Sequence, residues 1–244
     1  MTNEEFTKLH SKLKKMRFSG MAKELENQHM STDQLTADQR ITRLIMAEDT
    51  LRYNKKVERM LKKAKLRYSG AAFTEDLYSD QEEFTEELYS EIKDLKWITK
   101  PKNIIVTGPT GTGKSYLASA VGELAVLQFH SVAYYRTNLL LGDLKKAEEQ
   151  NRLSEKLQEL RKVDVLILDD FGMMSLDMSR CRSIFELLDS REGRKPTIVV
   201  SQFPVTSWYR LFEDSTFADA CLDRILHGAL RVKLQGESKR KQKF

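Results

Sequence analysis

The sequence predicts an α/β protein, a five-stranded parallel sheet flanked by helices and preceded by a small all-helical N-terminal domain. Three observations predict it. A glycine-rich loop, Gly108-Pro109-Thr110-Gly111-Thr112-Gly113-Lys114-Ser115, lies between an apolar run and a helical one. Beyond it, apolar runs of strand length alternate with helical patterns, the signature of right-handed parallel β–α–β units. Ahead of it, apolar residues recur at helical spacing and no proline precedes Pro101, so nothing forces a break in those helices.

In the first hundred residues, Thr2 and Asn3 can cap a helix carrying Phe6, Leu9, Leu13 and Met16, which Gly20 is expected to interrupt before a second segment, 21–28. A further helix begins near Thr36 or Asp38, carries Ile41, Leu44, Ile45, Leu51, Val57, Met60 and Leu61, and ends near Tyr68-Ser69-Gly70. Phe84, Leu88, Ile92 and Leu95 mark an acidic amphipathic helix. The division that follows is a helical domain at 1–70, an acidic helix and linker at 71–100, and the α/β domain with a basic tail at 101–244.

Within the α/β domain the strands fall at 103–107, 131–136, 163–169, 197–201 and 229–234, with helices at 116–128 and 138–162. The loop at 108–115 fits the G-x-x-x-x-G-K-[ST] pattern at every fixed position, a match that chance gives in about 1% of chains this long. Gly108, Pro109, Thr110, Gly111, Thr112 and Gly113 form a turn whose backbone N–H groups can face phosphate oxygens, with Tyr116 behind it on the helix. Lys114 can reach β- and γ-phosphates, and Ser115 can supply an oxygen to Mg²⁺. The strand at 163–169 is apolar throughout and finishes in Asp169-Asp170. Paired acids at the carboxyl end of a buried strand face the ligand crevice of an α/β sheet. Asp169 is expected to hold Mg²⁺ and Asp170 to polarise the attacking water, so the chemistry is hydrolysis of a nucleoside triphosphate.

The net charge is +5, with 32% charged and 40% hydrophobic residues, and the mean hydropathy is −0.52. No apolar run approaches a membrane span of roughly 18 residues. The acidic, polar start of the chain resembles neither a secretory signal nor a transit peptide, so the protein is expected in the cytoplasm. Cys181 and Cys221, without a C-x-x-C or a nearby His pair, suit neither a metal site nor a disulfide framework. The charge is laid out in blocks. Between Arg52 and Arg67 every charged residue but Glu58 is basic, from 75 to 94 every one but Lys93 is acidic, and the tail is basic again. Such blocks suit a phosphate-bearing polymer or an oppositely charged neighbouring subunit. Candidate contacts with such a polymer are Arg52, Lys55, Lys56, Arg59, Lys62 and Lys63 in the first block, with Lys145, Lys146, Arg152, Lys156, Arg161 and Lys162 beyond the second strand.

The run Ser201-Gln202-Phe203-Pro204, then Trp208, then Ala218-Asp219-Ala220-Cys221-Leu222-Asp223-Arg224-Ile225-Leu226-His227, then Leu234-Gln235-Gly236-Glu237-Ser238-Lys239-Arg240-Lys241 resembles the C-terminal part of IstB-type transposition helper ATPases. These are relatives of DnaC-type helicase loaders within the AAA+ class. The resemblance covers 97–241 and implies a P-loop AAA+ domain with ATP bound between subunits. Arg224 matches the arginine finger that acts in trans; on its residues alone, a salt bridge with Asp219 or Asp223 is the other role open to it. Too little chain follows Arg224 for a C-terminal lid domain, which is expected to be absent, and Arg240 is the candidate second sensor. Gln202 stands where the class places a sensor amide. Two departures are plain: the class commonly has Asp-Glu where this chain has Asp169-Asp170, and Asn where it has Gln202. The longer amide is expected to compensate for the shorter acid.

The resemblance further implies a bacterial, nucleoid-associated protein that oligomerises on duplex DNA with ATP and recruits and stimulates a transposase, hydrolysis promoting disassembly. A helicase loader, or a scaffold that binds ATP without turnover, are the alternatives.

Overall fold

The computed structural model describes residues 2–31, 34–79 and 81–238. The chain divides into two compact units, Met1–Arg59 and Met60–Phe244. The division falls within a helix, where the sequence placed boundaries at 70 and 100.

In the first unit, α1 (Asn3–Lys15) begins with a capping box in which Thr2 and Glu5 satisfy each other's backbone N–H. The chain turns at Arg17, whose φ is +62°, and α2 (Ser19–Met30) follows. The interruption expected at Gly20 is therefore a correction. Gly20 lies inside α2, and a Cβ there would meet the Ala47 carbonyl oxygen at 2.5 Å. Glycine serves close helix contact here, and the left-handed turn comes three residues earlier. The helix it approaches is α3 (Ala37–Ala64), started by a reciprocal pair of bonds between Thr36 and Gln39. Glu48, only 6% exposed, accepts from the backbone N–H of Gly20 at 2.7 Å and Met21 at 3.3 Å, and from Arg52 Nε at 2.7 Å. A buried carboxylate thus closes the open N-terminus of α2 from another helix, where the macrodipole favours negative charge.

The second unit opens with the end of α3. That helix stops at Ala64, short of the expected 68–70, because Lys65 takes φ +53°. A short helical turn (Glu75–Leu77), α4 (Glu86–Lys93) and α5 (Lys96–Thr99) precede the sheet. Phe84, Ile92 and Trp97 are essentially buried, so this acidic stretch is core on one face, and the Trp97 indole donates to the Ile92 carbonyl at 3.0 Å.

The sheet then alternates with helices: β1 (Ile104–Thr107), α6 (Lys114–Leu127), β2 (Val132–Arg136), α7 (Thr137–Glu149), α8 (Leu153–Lys162), β3 (Val165–Asp169), α9 (Met178–Arg191), β4 (Thr197–Ser201), α10 (Ser215–Leu226) and β5 (Leu230–Lys233). The helix expected over 138–162 is two, because Asn151 adopts φ +56° between them. All strands pair in parallel, in the order β2-β3-β4-β1-β5. Register aligns Thr107 with Ser201 and Lys233, and Arg136 with Asp169, so the carboxyl ends share one edge. β3 and β4 are buried at every position, which is why they read as unbroken apolar runs. Leu166, Leu168, Ile184, Val199, Trp208 and Ile225 belong to one core cluster, each such side chain stabilising by about 1.5–3 kcal/mol on burial.

Arg191 is 1% exposed. Its guanidinium donates to the carbonyls of Leu160 (2.7 Å), Val163 (2.9 Å) and Pro196 (2.7 Å) and to Thr197 Oγ1 (3.2 Å), tying the ends of α8 and α9 to the starts of β3 and β4. Among the described residues no helix is long and apolar enough to cross a membrane.

Candidate nucleotide site

The loop after β1 carries the chain into α6, which begins at Lys114 with Gly113 at φ +95° as its cap. Its first N–H groups therefore point into the carboxyl edge of the sheet, an anion-binding arrangement. The loop is folded on itself: Lys114 Nζ donates to the Pro109 carbonyl at 2.6 Å and Thr112 Oγ1 to the same oxygen at 2.9 Å. Ser238 lies against Gly111, where a Cβ would come within 2.1 Å of its Oγ. Arg240 lies outside the described residues.

β3 delivers Asp169, 1% exposed, to the same edge. The Tyr134 hydroxyl from β2 and Arg67 Nη1 (3.2 Å) both donate to its Oδ2, the Asp170 N–H donates to Oδ1 at 2.8 Å, and Thr137 Oγ1 donates to its carbonyl at 2.9 Å. Burial, then the Asp169 charge, push the Tyr134 hydroxyl up, which keeps it a donor. Burial works against the Arg67 charge, but Tyr134 and Asp169 hold it above its ordinary value. Asp170 adopts φ +57° and stands between Arg67 (3.8 Å) and Arg136 (3.7 Å). Arg67 Nη1 also reaches Ser115 Oγ at 3.4 Å. Ser115 and Asp169 thus offer two hard oxygens to one cation, the donor chemistry that Mg²⁺ requires.

Arg67, Ser115, Asp169 and Asp170 line a cavity of about 600 Å³. Tyr116 closes one side: its hydroxyl accepts from the Ala72 N–H at 3.3 Å and its ring lies 5.8 Å from that of Tyr68. Gln202, at the end of β4, accepts from Thr110 Oγ1 at 2.8 Å and donates toward Met173 Sδ at 2.6 Å. It lines the cavity with Asp170, and its hydrogen bonds run to the loop and to Met173.

Gly108 and Pro109 are not among the residues lining the cavity, but Thr110, Gly111, Thr112 and Gly113 of the loop, with Lys114, Ser115, Tyr116, Asp169, Asp170 and Gln202, converge there. Arg224 does not. Its carbonyl accepts from Asn103 Nδ2 at 2.8 Å, and Asn103 precedes β1 while the loop follows it. Arg224 consequently sits at the amino edge of the sheet, a strand length of about 13 Å from the loop end. It is bound to Asp189 (2.7 Å) and Glu192 (3.2 Å), with its guanidinium 4.7 Å over the Phe185 ring. The salt bridge considered with Asp219 or Asp223 is corrected: positions one and five residues back on a helix do not share Arg224's face.

The candidate DNA contacts lie elsewhere. Lys55, Lys56 and Arg59 in the first unit, and Lys62 and Lys63 in the second, are exposed at helical spacing on α3. Arg52 is committed to Glu48 and lies 5.3 Å over Phe18. Lys145, Lys146, Arg161 and Lys162 are exposed, Arg152 pairs with Glu155 and Lys156 with Glu159. Arg67, which closes the basic block in sequence, faces the cavity instead. Arg67 and Tyr134 were not marked as site residues by the sequence; the one local signal is the break at Tyr68-Ser69-Gly70, which frees the preceding arginine from the helix pattern.

The profile of the family described as IstB-like ATP binding protein matches residues 11–244. The chain is 38% identical over 211 residues to the insertion sequence ATP-binding protein y4uH of Sinorhizobium fredii, covering 86% of this chain and 84% of that one. It is 37% identical to the ATP-binding protein of insertion sequence IS1162 of Pseudomonas fluorescens, over 84% and 87% of the two chains. Among solved structures, the DnaC helicase loader superposes with a TM-score of 0.56 at 19% identity, over 69% of this chain and 98% of that one. That likeness is one of fold, and with the sheet order it bears out the expected α/β architecture, a five-stranded parallel sheet carrying a phosphate loop.

Proposed function

The chain belongs to the IstB-like ATP-binding protein family, and from that premise we propose that it is an Mg²⁺-dependent ATPase, converting ATP and water to ADP and phosphate, that assembles on duplex DNA as a helper of transposition. One observation carries the reading. The phosphate loop, Ser115, Asp169 and Asp170 meet in one cavity, while Arg224 stands at the far edge of the same sheet. A neighbouring copy presenting its Arg224 edge to this cavity would supply the charge that the cavity's own subunit cannot bring from there.

The loop N–H groups and Lys114 would bind the triphosphate, Lys114 exchanging its bond to Pro109 for one to a phosphate. Ser115 and Asp169 would hold Mg²⁺, which neutralises phosphate charge when bound. Asp170 orients the water, and Gln202, anchored on Thr110, senses the loop. Nucleotide and DNA are then linked ligands, each favouring the assembled state, and hydrolysis loosens both. The exposed basic side chains would meet DNA phosphates largely without sequence preference. Recruitment of a cognate transposase completes the reading; the insertion-sequence names of the relatives favour it over a helicase loader, from which the fold alone does not separate it. The test is ATP turnover with and without duplex DNA, together with particle mass in ATP and in ADP. DNA-stimulated turnover and growth in ATP are expected; a chain that stays monomeric with ATP and DNA, and whose turnover ignores DNA, refutes the proposal.

A further inference from the structure

Among the described residues that line the cavity, Arg67 is the one cation that the phosphate-loop arrangement does not call for. Its Nη1 lies 3.2 Å from Asp169 Oδ2, 3.4 Å from Ser115 Oγ and 3.8 Å from Asp170 Oδ2. The first two oxygens are those assigned above to a divalent ion. They cannot hold that ion while a guanidinium nitrogen stands against both, since a bound Mg²⁺ sits about 2.0–2.1 Å from its oxygens and the two positive charges repel. We propose that Arg67 is a built-in stand-in for the metal. It neutralises the acids of the nucleotide-free site, and metal-bound nucleotide displaces it onto phosphate charge in the same cavity.

The surroundings fit that role. The segment bearing Arg67 is fastened to α6: the Leu66 side chain packs where a Cβ on Gly122 would lie 2.9 Å away, Tyr68 N–H donates to Ser119 Oγ at 3.4 Å, and Gly70 N–H donates to Glu123 at 2.8 Å. The backbone is anchored, so the motion belongs to a long side chain that is a quarter exposed and opens on the cavity. Without Arg67, the Asp169 carboxylate would keep, among the described residues, the hydrogen bonds from the Tyr134 hydroxyl and the Asp170 N–H. A buried carboxylate so placed recruits another cation. Arg136 does not replace Arg67, because its partner is Asp170.

The inference rests on reading this cavity as a magnesium–nucleotide site, and the experiment separates the two. Mn²⁺ alone, without nucleotide, is titrated into the full chain and followed by electron paramagnetic resonance. Arg67→Ala is expected to bind one Mn²⁺ about tenfold more tightly than the wild type, with the gain removed by adding Asp169→Asn and absent in Arg67→Lys, which keeps the charge. In parallel, a fluorescent ATP analogue is titrated with EDTA and with Mg²⁺. Arg67→Ala is expected to weaken binding about fivefold in EDTA, where the stand-in is lost, and to leave it equal or tighter in Mg²⁺. Thermal unfolding and the Lys variant report whether the fold is intact. Mn²⁺ binding no tighter in Arg67→Ala than in the wild type, or nucleotide affinity lost equally in both conditions, overturns the inference alone. A wild type that binds no nucleotide in either condition overturns the site reading, and this inference with it.

Discussion

Asp189 accepts from Arg224 at 2.7 Å within the same chain, at the edge of the sheet opposite the phosphate loop. The bond fixes the guanidinium direction while leaving the side chain 21% exposed. If this arginine serves a neighbour's site, Arg224→Ala should leave nucleotide binding within about twofold and cut turnover by about 10³-fold. Mixing it with a Lys114→Ala chain should restore part of the activity, because some interfaces then join an intact loop to an intact arginine. Turnover across mixing ratios measures this, and no recovery would place the residue outside the neighbour's site.

Asp170→Asn should retain ATP and lose hydrolysis by about 10²-fold. The substitution keeps the size of the side chain, removes its charge and turns one acceptor oxygen into a donor amide. A single-turnover assay with bound ATP separates this from weakened binding.

The exposed basic side chains of α3 make a prediction about salt. Replacing Lys55, Lys56, Lys62 and Lys63 by Ala should weaken duplex binding alike for unrelated sequences. The slope of log affinity against log salt should flatten by about 0.9 for each phosphate contact removed. Fluorescence anisotropy across a salt series reads both; an unchanged slope would remove this helix face from the DNA interface.

Glu48 predicts a pH dependence. Burial pushes its carboxyl up, but Arg52 and the N–H groups of Gly20 and Met21 outweigh burial and hold it below the ordinary value of 4.5. The stability that Glu48 contributes is therefore fully present above that ordinary value and is lost as the pH falls through the lower, folded value. Protection of the Gly20 and Met21 amides from exchange, taken relative to the intrinsic rate at each pH, should fall under acid in the wild type. In Glu48→Gln it should be low already at neutral pH, with the difference between the two closing at low pH.

Gly20→Ala should destabilise the first unit by about 1–3 kcal/mol, since the new methyl meets backbone that cannot step aside. Urea unfolding followed by amide exchange in α2 would record it.

The strands and the loop were legible in the sequence because each carries a local signature: β3 reads as an apolar run closed by acids, and the loop as fixed glycines before Lys114. The breaks were not. Arg17, Lys65 and Asn151 enter left-handed turns with no glycine to announce them, whereas Gly20, which looks like punctuation, is a contact point in mid-helix. Asp169, Asp170 and Gln202 were legible as site residues from their place at strand ends. Arg67 was not, because its charge matches the block beside it, and its turn toward Asp169 depends on a fold that joins residues 102 positions apart.

The positive φ of Asp170 bears on which acid can stand there. Among residues with side chains, Asn and Asp visit this region more often than a longer chain such as Glu. The shape of the main chain just past β3 therefore favours the shorter acid before any chemistry is considered. On the proposed function, reach toward the water would then depend on how far the loop and Gln202 close over the acid, and hydrolysis would answer to the walls of the site as much as to its carboxylate.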